Sequence, residues 1–276
     1  MVEFLNNIAK TIYSAGNGNA INPSNLKIQT SALTIANNIW SYLCIIGMGM
    51  TIIYFLLEIN RRMVIEGGDF NFKSLLGPFV KLALSIAILS KGGEIVGWLI
   101  SFNNGFVDEA SKWQIAQDVG ASGTSDEWET SIFEDMSIFQ LCLAFLPMLL
   151  CWLVSLVVEL VYWYKAIAFK IKYLFRIGIT PIALADVYSG QNGAAMRWLK
   201  GFIGVGLTGV AYIVVPKLAA EIVLSTLVDD DGNSLLTPVV DDLWKFIKSL
   251  FLSLLAPIAG LGTLSACEQL AKEVCG

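Results

Sequence analysis

Long apolar stretches alternate with short charged segments along the whole chain. Four windows lack Asp, Glu, Lys and Arg over about the length that a helix needs to cross a ~30 Å hydrocarbon core. They are Ile28–Leu57, Met136–Val158, Gly201–Pro216 with its apolar continuation, and Ser249–Ala266. A fifth window, Leu75–Ile100, is apolar but contains Lys81, Lys91 and Glu94. The pattern predicts an all-α membrane protein with about five transmembrane helices.

Composition agrees with this interpretation. Apolar residues make up 55% of the chain, charged residues make up 15%, and the mean hydropathy is +0.66. An ordinary soluble domain has roughly 25% charged residues. The chain is therefore too apolar for a soluble domain.

The charged segments divide the chain into nine regions. These are an outer amino-terminal amphipathic segment (1–30), spans 1 and 2 with an inner charged linker (31–100), an acidic outer loop (101–135), span 3 (136–164), a basic inner block (165–200), span 4 (201–223), a second acidic outer loop (224–243), span 5 (244–266) and an inner tail (267–276). The basic inner block is predicted to hold an amphipathic helix on the inner membrane face, followed by a short broken helix.

The distribution of Lys and Arg predicts the orientation, because cytoplasmic loops retain cations during insertion. With the amino terminus outside, the inner segments 58–74, 165–200 and 267–276 hold three, six and one basic residues, which is 10 of the 18 in the chain. The outer loop 101–135 has eight acids against the single cation Lys112. We therefore expect a multi-pass protein of a bacterial cytoplasmic membrane, with its amino terminus outside and its carboxyl terminus in the cytoplasm.

The first residues show helical spacing, with Phe4, Leu5, Ile8 and Ile12 on one face. This pattern predicts a short amphipathic helix on the outer membrane surface, ended by a turn at 16–18. A frayed tail is the alternative interpretation.

Several enzyme classes are excluded by what the sequence lacks. There is no histidine, which removes Ser-His and Cys-His catalysis and His-ligated metal sites. No G-x-x-x-x-G-K-[ST] motif is present, so the chain has no P-loop for ATP phosphates. We expect no catalytic activity, cofactor or metal.

Charged residues within the predicted spans are candidate polar sites, because an ionisable group costs roughly 2.5–3.5 kcal/mol at the bilayer centre. Lys81 is within snorkelling reach of the inner surface. Lys91 and Glu94 flank Gly92 and Gly93, where we expect a helix break in a polar, protein-facing environment.

Glu159 is a further candidate, since it follows 23 uncharged residues near the inner end of span 3. Snorkelling to the inner surface is the simpler interpretation. The alternative is a pairing with Lys165 or Lys170 that fixes the angle of the basic inner block.

The basic inner block has the pattern of an amphipathic helix that ends at a proline. One face of its helical wheel is cationic and the opposite face is apolar. The cations are Lys165, Lys172 and Arg176, and the apolar residues are Ile167, Ile171 and Leu174. Thr180-Pro181 should end this helix, because the residue before a proline is pushed out of the α region. A short apolar piece, 182–185, then follows.

These residues predict a docking or gating platform at the inner mouth of an assembly. The candidate residues are Lys165, Lys170, Lys172, Arg176, Pro181, Asp186, Arg197 and Lys200. The alternative is a cationic surface helix that binds anionic lipid headgroups.

The segment FRIGITPIALADVYSGQNGAAMRWLKGFIGVGL resembles the characteristic core of the TrbL-like polytopic subunits of type IV secretion and conjugation machines, particularly those of Gram-positive mobile elements. That core has an R-x₃-[FT]-P-I-A-x-A-D-x-F/Y stretch, a Gly-rich turn and an aromatic-[LI]-[KR] start of a span. The matching positions are Arg176, Pro181, Ile182, Ala183, Ala185, Asp186, Tyr188, Arg197, Trp198, Leu199 and Lys200. The segment YFLLEINRRMVIEGGDFNFKSLLGPFVKLALSIAIL is similar to the region where such proteins run from a hydrophobic helix through a charged linker into a lysine-bearing span.

The resemblance implies a structural subunit at the base of a cell-envelope channel, present as a homo-oligomer among membrane lipids. Its implied partners are assembly ATPases and a coupling protein inside, and pilin-like or surface components outside. The implied cargo is protein, or single-stranded DNA with an attached relaxase, which would touch this chain at most transiently. A secondary transporter or ion channel is the alternative from another class, and a holin-like or toxin-like pore is a third.

Overall fold

The structure is a computed structural model that describes residues 2–14, 23–67, 71–112, 138–186, 193–226 and 243–275. The secondary structure of these residues is helical, with no β-strand, so the predicted all-α class is confirmed. The helices are α1 (Val2–Ser14), α2 (Thr30–Glu66), α3 (Phe72–Ser90), α4 (Gly92–Ser111), α5 (Ile138–Gly178), α6 (Thr180–Leu184), α7 (Ala194–Thr226), α8 (Leu243–Ser253) and α9 (Leu255–Cys275), with a 3₁₀ helix at Pro23–Leu26. Most of the predicted acidic loops and the turn at 16–18 lie outside the described residues.

Five helical segments are long and apolar enough to cross a membrane, as the hydropathy pattern predicts. They are Ser24–Ile65, Lys73–Ser90, Cys142–Gly178, Ala194–Val223 and Ile247–Ala271. Helices α2, α5 and α7 contain 37, 41 and 33 residues, which at 1.5 Å per residue gives lengths of about 50 to 60 Å. Each of these three helices is therefore much longer than the ~30 Å hydrocarbon core.

The apolar window 75–100 is two helices rather than one. Helix α3 ends at Ser90 and α4 begins at Gly92, with Lys91 between them at φ −93° and ψ 20°. The helix break expected at this Gly-Gly pair is confirmed. It has a packing reason, because a Cβ at position 92 would collide with the indole of Trp40 in α2.

Helix α5 runs without interruption through position 164/165, where the sequence places the boundary between span 3 and the basic inner block. The helix ends at Gly178, Ile179 is a turn residue, and Thr180 and Pro181 begin α6. The break predicted at Thr180-Pro181 is therefore confirmed. The basic residues at 165–176, however, belong to the second half of a single long helix and not to a separate surface helix.

The described residues form two compact units. The first contains Met1–Asn25, Val107–Ile167 and Val210–Gln269, and the second contains Leu26–Phe106, Ala168–Gly209 and Leu270–Gly276. In the first unit, the apolar face of α1 packs in one core with α8 and the beginning of α5. This core consists of Leu5, Ile8, Ala9, Ile12, Ala144, Met148, Cys151, Ile247, Leu250 and Leu254. The predicted amphipathic helix is present, and Leu5, Ile8 and Ile12 of its apolar face are buried against protein, whereas Phe4 is exposed.

In the second unit, α2 packs antiparallel to the α3–α4 segment. Three contacts fix the register: the rings of Phe55 and Phe79 (centroids 5.0 Å apart), Cys44 Sγ with the carbonyl oxygen of Leu89 (3.6 Å), and Ile28 N with Asn104 Oδ1 (2.9 Å). Arg62 Nη1, near the end of α2, donates to the carbonyl oxygen of Ser74 in the first turn of α3 (2.8 Å).

Candidate functional site: a broken-helix hairpin and a charge cluster

The described residues 168–186 and 193–209, which we call the α6 hairpin, comprise the end of α5, the short α6 and the start of α7. The two long arms meet through aromatic side chains. The rings of Tyr173 and Phe202 have centroids 5.0 Å apart, and Trp198 stacks on Phe202 at 5.2 Å. Near the open end, the ring of Phe169 packs on the backbone of Gly209, where a Cβ would lie 2.5 Å from Phe169 Cζ. Most of the candidate docking residues are in this hairpin.

Arg176 joins the two arms. Its Nη1 donates a hydrogen bond to the carbonyl oxygen of Gly201 (2.6 Å), while its own carbonyl oxygen accepts from Trp198 Nε1 (2.9 Å) and Thr180 Oγ1 (3.2 Å). Because α5 ends two residues later, this carbonyl is one of the last four of the helix, which need partners other than the next turn. Arg176 is therefore half-buried between the arms and does not belong to an open cationic face.

Helix α6 packs against α2. Pro181 is buried, and its carbonyl oxygen lies 2.6 Å from the place that a Cβ at Gly47 would occupy. One turn earlier in the hairpin, the Cγ2 atom of Ile39 lies 2.5 Å from the Cβ position of Gly178. The approach at Gly47 brings backbone against backbone, so no side-chain movement could make room for a larger residue there.

Asp186 follows α6 and stabilises the start of α7. The residue is buried, and its Oδ2 accepts a hydrogen bond from the backbone N–H of Ala194, the first residue of α7 (2.7 Å). A carboxylate at this position satisfies one of the free N–H groups of the helix and interacts favourably with the helix dipole. Tyr188, the next motif residue, lies outside the described residues.

The other candidate residues of the hairpin lie on its surface. Lys172, Arg197 and Lys200 are exposed, and Lys170 is half-buried. Ile171, which belongs to the predicted apolar face, is 62% exposed. The face of α5 that is packed in this unit is aromatic instead, and Tyr173 OH donates to the carbonyl oxygen of Leu99 (2.6 Å).

Lys165 takes part in a second arrangement, in the first unit. Its Nζ lies 3.3 Å from Glu268 Oε1, and Tyr212 OH donates a hydrogen bond to the same oxygen. The side chains of Lys165 and Glu268 are 25% and 13% exposed. These three residues, which we call the Glu268 cluster, join α5, α7 and α9. One turn earlier in α5, Tyr162 OH donates to the carbonyl oxygen of Pro257 in α9 (3.2 Å).

Sequence reasoning missed Glu268 and Tyr212. The sequence places Glu268 in the inner tail, and it considers Glu159 as the partner of Lys165. In the structure Lys165 pairs with Glu268, and Glu159 Oε1 accepts a long hydrogen bond from Trp163 Nε1 (3.5 Å). Lys165 and Glu268 are 103 residues apart, so no local spacing could have indicated the pair. The available signal was the expectation that an ionisable group in a span needs a partner.

The remaining polar candidates lie in α3 and at the α3–α4 break. Lys81 is half-buried in α3. Lys91 and Glu94 are exposed and form a salt bridge of 2.8 Å, and the hydrogen bond to Glu94, aided by charge attraction, raises the pKa of Lys91. The protein-facing environment that we expected here therefore applies to Gly92, against Trp40, and not to the two charges. No group of three or more potential metal ligands occurs among the described residues.

Comparison with known proteins adds no relative. No protein-family model matches the chain, and no curated protein or solved structure matches it significantly. The resemblance to the TrbL-like subunits thus stays a prediction that depends on the motif residues and their geometry.

Proposed function

We propose that the chain is a structural subunit of a type IV secretion machine, which supports assembly and the translocation of protein or of single-stranded DNA with its relaxase. The α6 hairpin is the observation that carries this proposal. Arg176, Asp186 and Trp198, which belong to the TrbL-like pattern, make contacts that hold this hairpin closed. Pro181, another residue of the pattern, packs the hairpin against Gly47 of α2. Contacts among motif residues support the resemblance more strongly than hydropathy, which many unrelated membrane proteins share.

In this proposal the α6 hairpin is a rigid element of each copy in a homo-oligomer. The subunit lies in the cytoplasmic membrane of a bacterium, with its amino terminus outside and its carboxyl terminus in the cytoplasm. Assembly ATPases and a coupling protein are its cytoplasmic partners, and pilin-like or surface components are its outer partners. The absence of histidine and of a P-loop motif from the chain agrees with a scaffold that depends on partner ATPases.

The test uses the tagged full-length chain in its native host. We expect mild crosslinking and purification to recover a P-loop ATPase, and we expect Asp186→Ala to reduce transfer at an unchanged amount of protein in the membrane. Lys91→Gln is the matched control, because its salt bridge is exposed and lies outside the hairpin. The proposal would be rejected if transfer stayed normal after deletion of the chain and if no ATPase copurified with the tagged chain.

The Glu268 cluster favours a second candidate, a secondary transporter or ion channel. Ionisable residues within spans often mark the path of an ion or a proton, and Lys165 and Glu268 both lie within candidate spans. Purified protein in liposomes tests this function directly. Selective solute or ion uptake that Glu268→Gln abolishes would support transport, and the absence of any uptake would leave the scaffold as the function.

A further inference from the structure

The contacts of the α6 hairpin with α2 show where its surface cations lie. Gly178 packs on Ile39, and Pro181 packs on Gly47. From the end of α5 to α6, the chain therefore runs parallel to α2, towards the higher residue numbers of α2. The end of the α5 arm lies at the height of Ile39, and α6 reaches the height of Gly47.

Lys172, Arg197 and Lys200 are all close to Arg176 along the hairpin. Lys172 lies about one turn before Arg176 in α5, and Lys200 directly precedes Gly201, whose carbonyl oxygen Arg176 binds. Arg197 lies about one turn earlier in α7, beside Trp198, which donates to the carbonyl oxygen of Arg176. The three exposed cations thus lie alongside the part of α2 that precedes Gly47, towards the end where α2 begins. With the amino terminus outside, that end of α2 is the outer one, so the outer amino terminus and the inner position predicted for 165–200 do not hold together.

In this same region, at Tyr42, the exposed face of α2 changes from mostly polar to apolar. Among residues 31–41 the exposed positions are Ser31, Thr34, Ile35, Asn38 and Ser41. Beyond Tyr42 and up to Leu57 the large exposed apolar residues are Ile45, Ile46, Ile52, Ile53, Leu56 and Leu57, and after the charged residues Glu58, Arg61 and Arg62 the residues Met63, Val64 and Ile65 are exposed as well. The apolar stretch from Tyr42 to Leu57 is about 24 Å long, close to the hydrocarbon thickness of a bilayer. Tyr42 is 77% exposed, and tyrosine is enriched at the boundary between hydrocarbon and headgroups.

The surface of the hairpin at this height is both cationic and apolar. Residues 168–209 contain five cations and one acid, Asp186, whose carboxylate binds the start of α7. Exposed apolar side chains, including Ile171, Phe175 and Leu199, alternate with the cations. Such a surface matches an anionic lipid, because phosphate pairs with the cations while the acyl chains cover the apolar residues.

We propose that Lys172, Arg197 and Lys200 form a binding site for the headgroups of anionic phospholipids, at the hydrocarbon boundary marked by Tyr42. The ligand is a phosphodiester with net negative charge, such as phosphatidylglycerol in the surrounding bilayer. A membrane lipid fits this surface better than an acidic protein, because the three cations lie beside the exposed apolar face of α2, which belongs to the same unit. This site does not depend on the proposed secretion function.

Native mass spectrometry of the full-length protein, released from vesicles of phosphatidylcholine with phosphatidylglycerol, tests the site. The wild-type protein should retain phosphatidylglycerol above its fraction in the vesicle. Each cation contributes about fivefold to the association at low salt. The variant K172Q/R197Q/K200Q should therefore lose most of this enrichment, while the charge-conserving variant K172R/R197K/K200R should keep it.

Two further measurements separate this site from general attraction of anionic lipid and from protein docking. The variant K10Q/K245Q/K248Q removes three exposed lysines of the first unit and should retain more phosphatidylglycerol than the hairpin variant. Equal losses in the two triple variants would overturn the proposal. It would also be overturned if the hairpin variant kept the wild-type enrichment, whether or not it lost copurification with a partner ATPase. Circular dichroism checks that the variants are folded.

Discussion

Replacing Lys165 by Met should destabilise the protein more than any other single change in the Glu268 cluster. The substitution keeps the length of the side chain but removes the ammonium that lies 3.3 Å from Glu268 Oε1. The carboxylate stays in a site where its side chain is 13% exposed. The hydroxyl of Tyr212 still donates to it, but a hydrogen bond does not neutralise the charge.

The magnitude follows from the geometry. Two unit charges 3.3 Å apart attract by about 5 kcal/mol at an effective dielectric constant of roughly 20. Removal of one partner from a fully buried pair costs about 3–5 kcal/mol. Because Lys165 is 25% exposed, we expect a smaller loss, about 2–4 kcal/mol, for Lys165→Met. Glu268→Gln should cost less, since the lysine stem can carry its ammonium towards water.

The double variant K165M/E268Q distinguishes a charge effect from a packing effect, because the glutamine keeps an oxygen that can accept from the buried Tyr212 OH. It leaves neither charge unpaired, so its stability should lie within about 1 kcal/mol of the wild type. Reversible unfolding of the purified chain in mixed micelles, followed by circular dichroism, gives the four free energies of a double-mutant cycle. Additive losses in this cycle would refute the reasoning, because they would mean that the two side chains act through separate contacts.

Three other changes test the remaining contacts. Gly47→Ala should lower the unfolding midpoint, because it brings a Cβ to 2.6 Å from the carbonyl oxygen of Pro181. Gly49→Ala is the control and should leave the midpoint unchanged, since no heavy atom lies within 4 Å of its Cβ position. Equal midpoints for the two variants would contradict the close approach at Gly47. Asp186→Ala should cost about 1 kcal/mol through the lost bond to the start of α7, and faster amide exchange in the first turn of α7 should accompany it; unchanged exchange would refute the capping role. Lys91→Gln should leave the midpoint unchanged, since its salt bridge is exposed, and a clear drop would show that the pair is more protected than its exposure indicates.

The number of spans could be predicted from the sequence because hydropathy along a helix reports directly on the surrounding solvent. The breaks at Gly92 and at Pro181 were also predictable, since glycine and proline act on the backbone locally. The length of α5 was not predictable in the same way. Its second half contains cations, which in an isolated segment indicate a helix at a water surface, and only the packing of Arg176 and Tyr173 against other helices shows otherwise.

The faces of this helix show why the candidate site was only partly predictable. A helical wheel separates cations from apolar residues correctly, but it does not say which face meets protein. In water the apolar face would be covered, whereas in a membrane apolar residues such as Ile171 can face lipid while polar and aromatic groups pair inside the protein. Tyr173 and Arg176 follow the membrane rule, each with a backbone carbonyl as partner. Partners of this kind are distant in sequence and carry no motif.

The two candidate functions can be separated because their residues lie in different units and make different kinds of contact. The α6 hairpin is held by backbone-directed bonds from Arg176 and Asp186, which suit a fixed shape and offer no mobile charge. In the Glu268 cluster one carboxylate oxygen serves both Lys165 and Tyr212, so protonation of that carboxylate would release the lysine. A scaffold should therefore lose function with Asp186→Ala and tolerate K165M/E268Q, in which the charges are removed together and Tyr212 keeps an acceptor. A transporter should show the reverse order, because a neutral cluster cannot exchange a proton or an ion however well it packs.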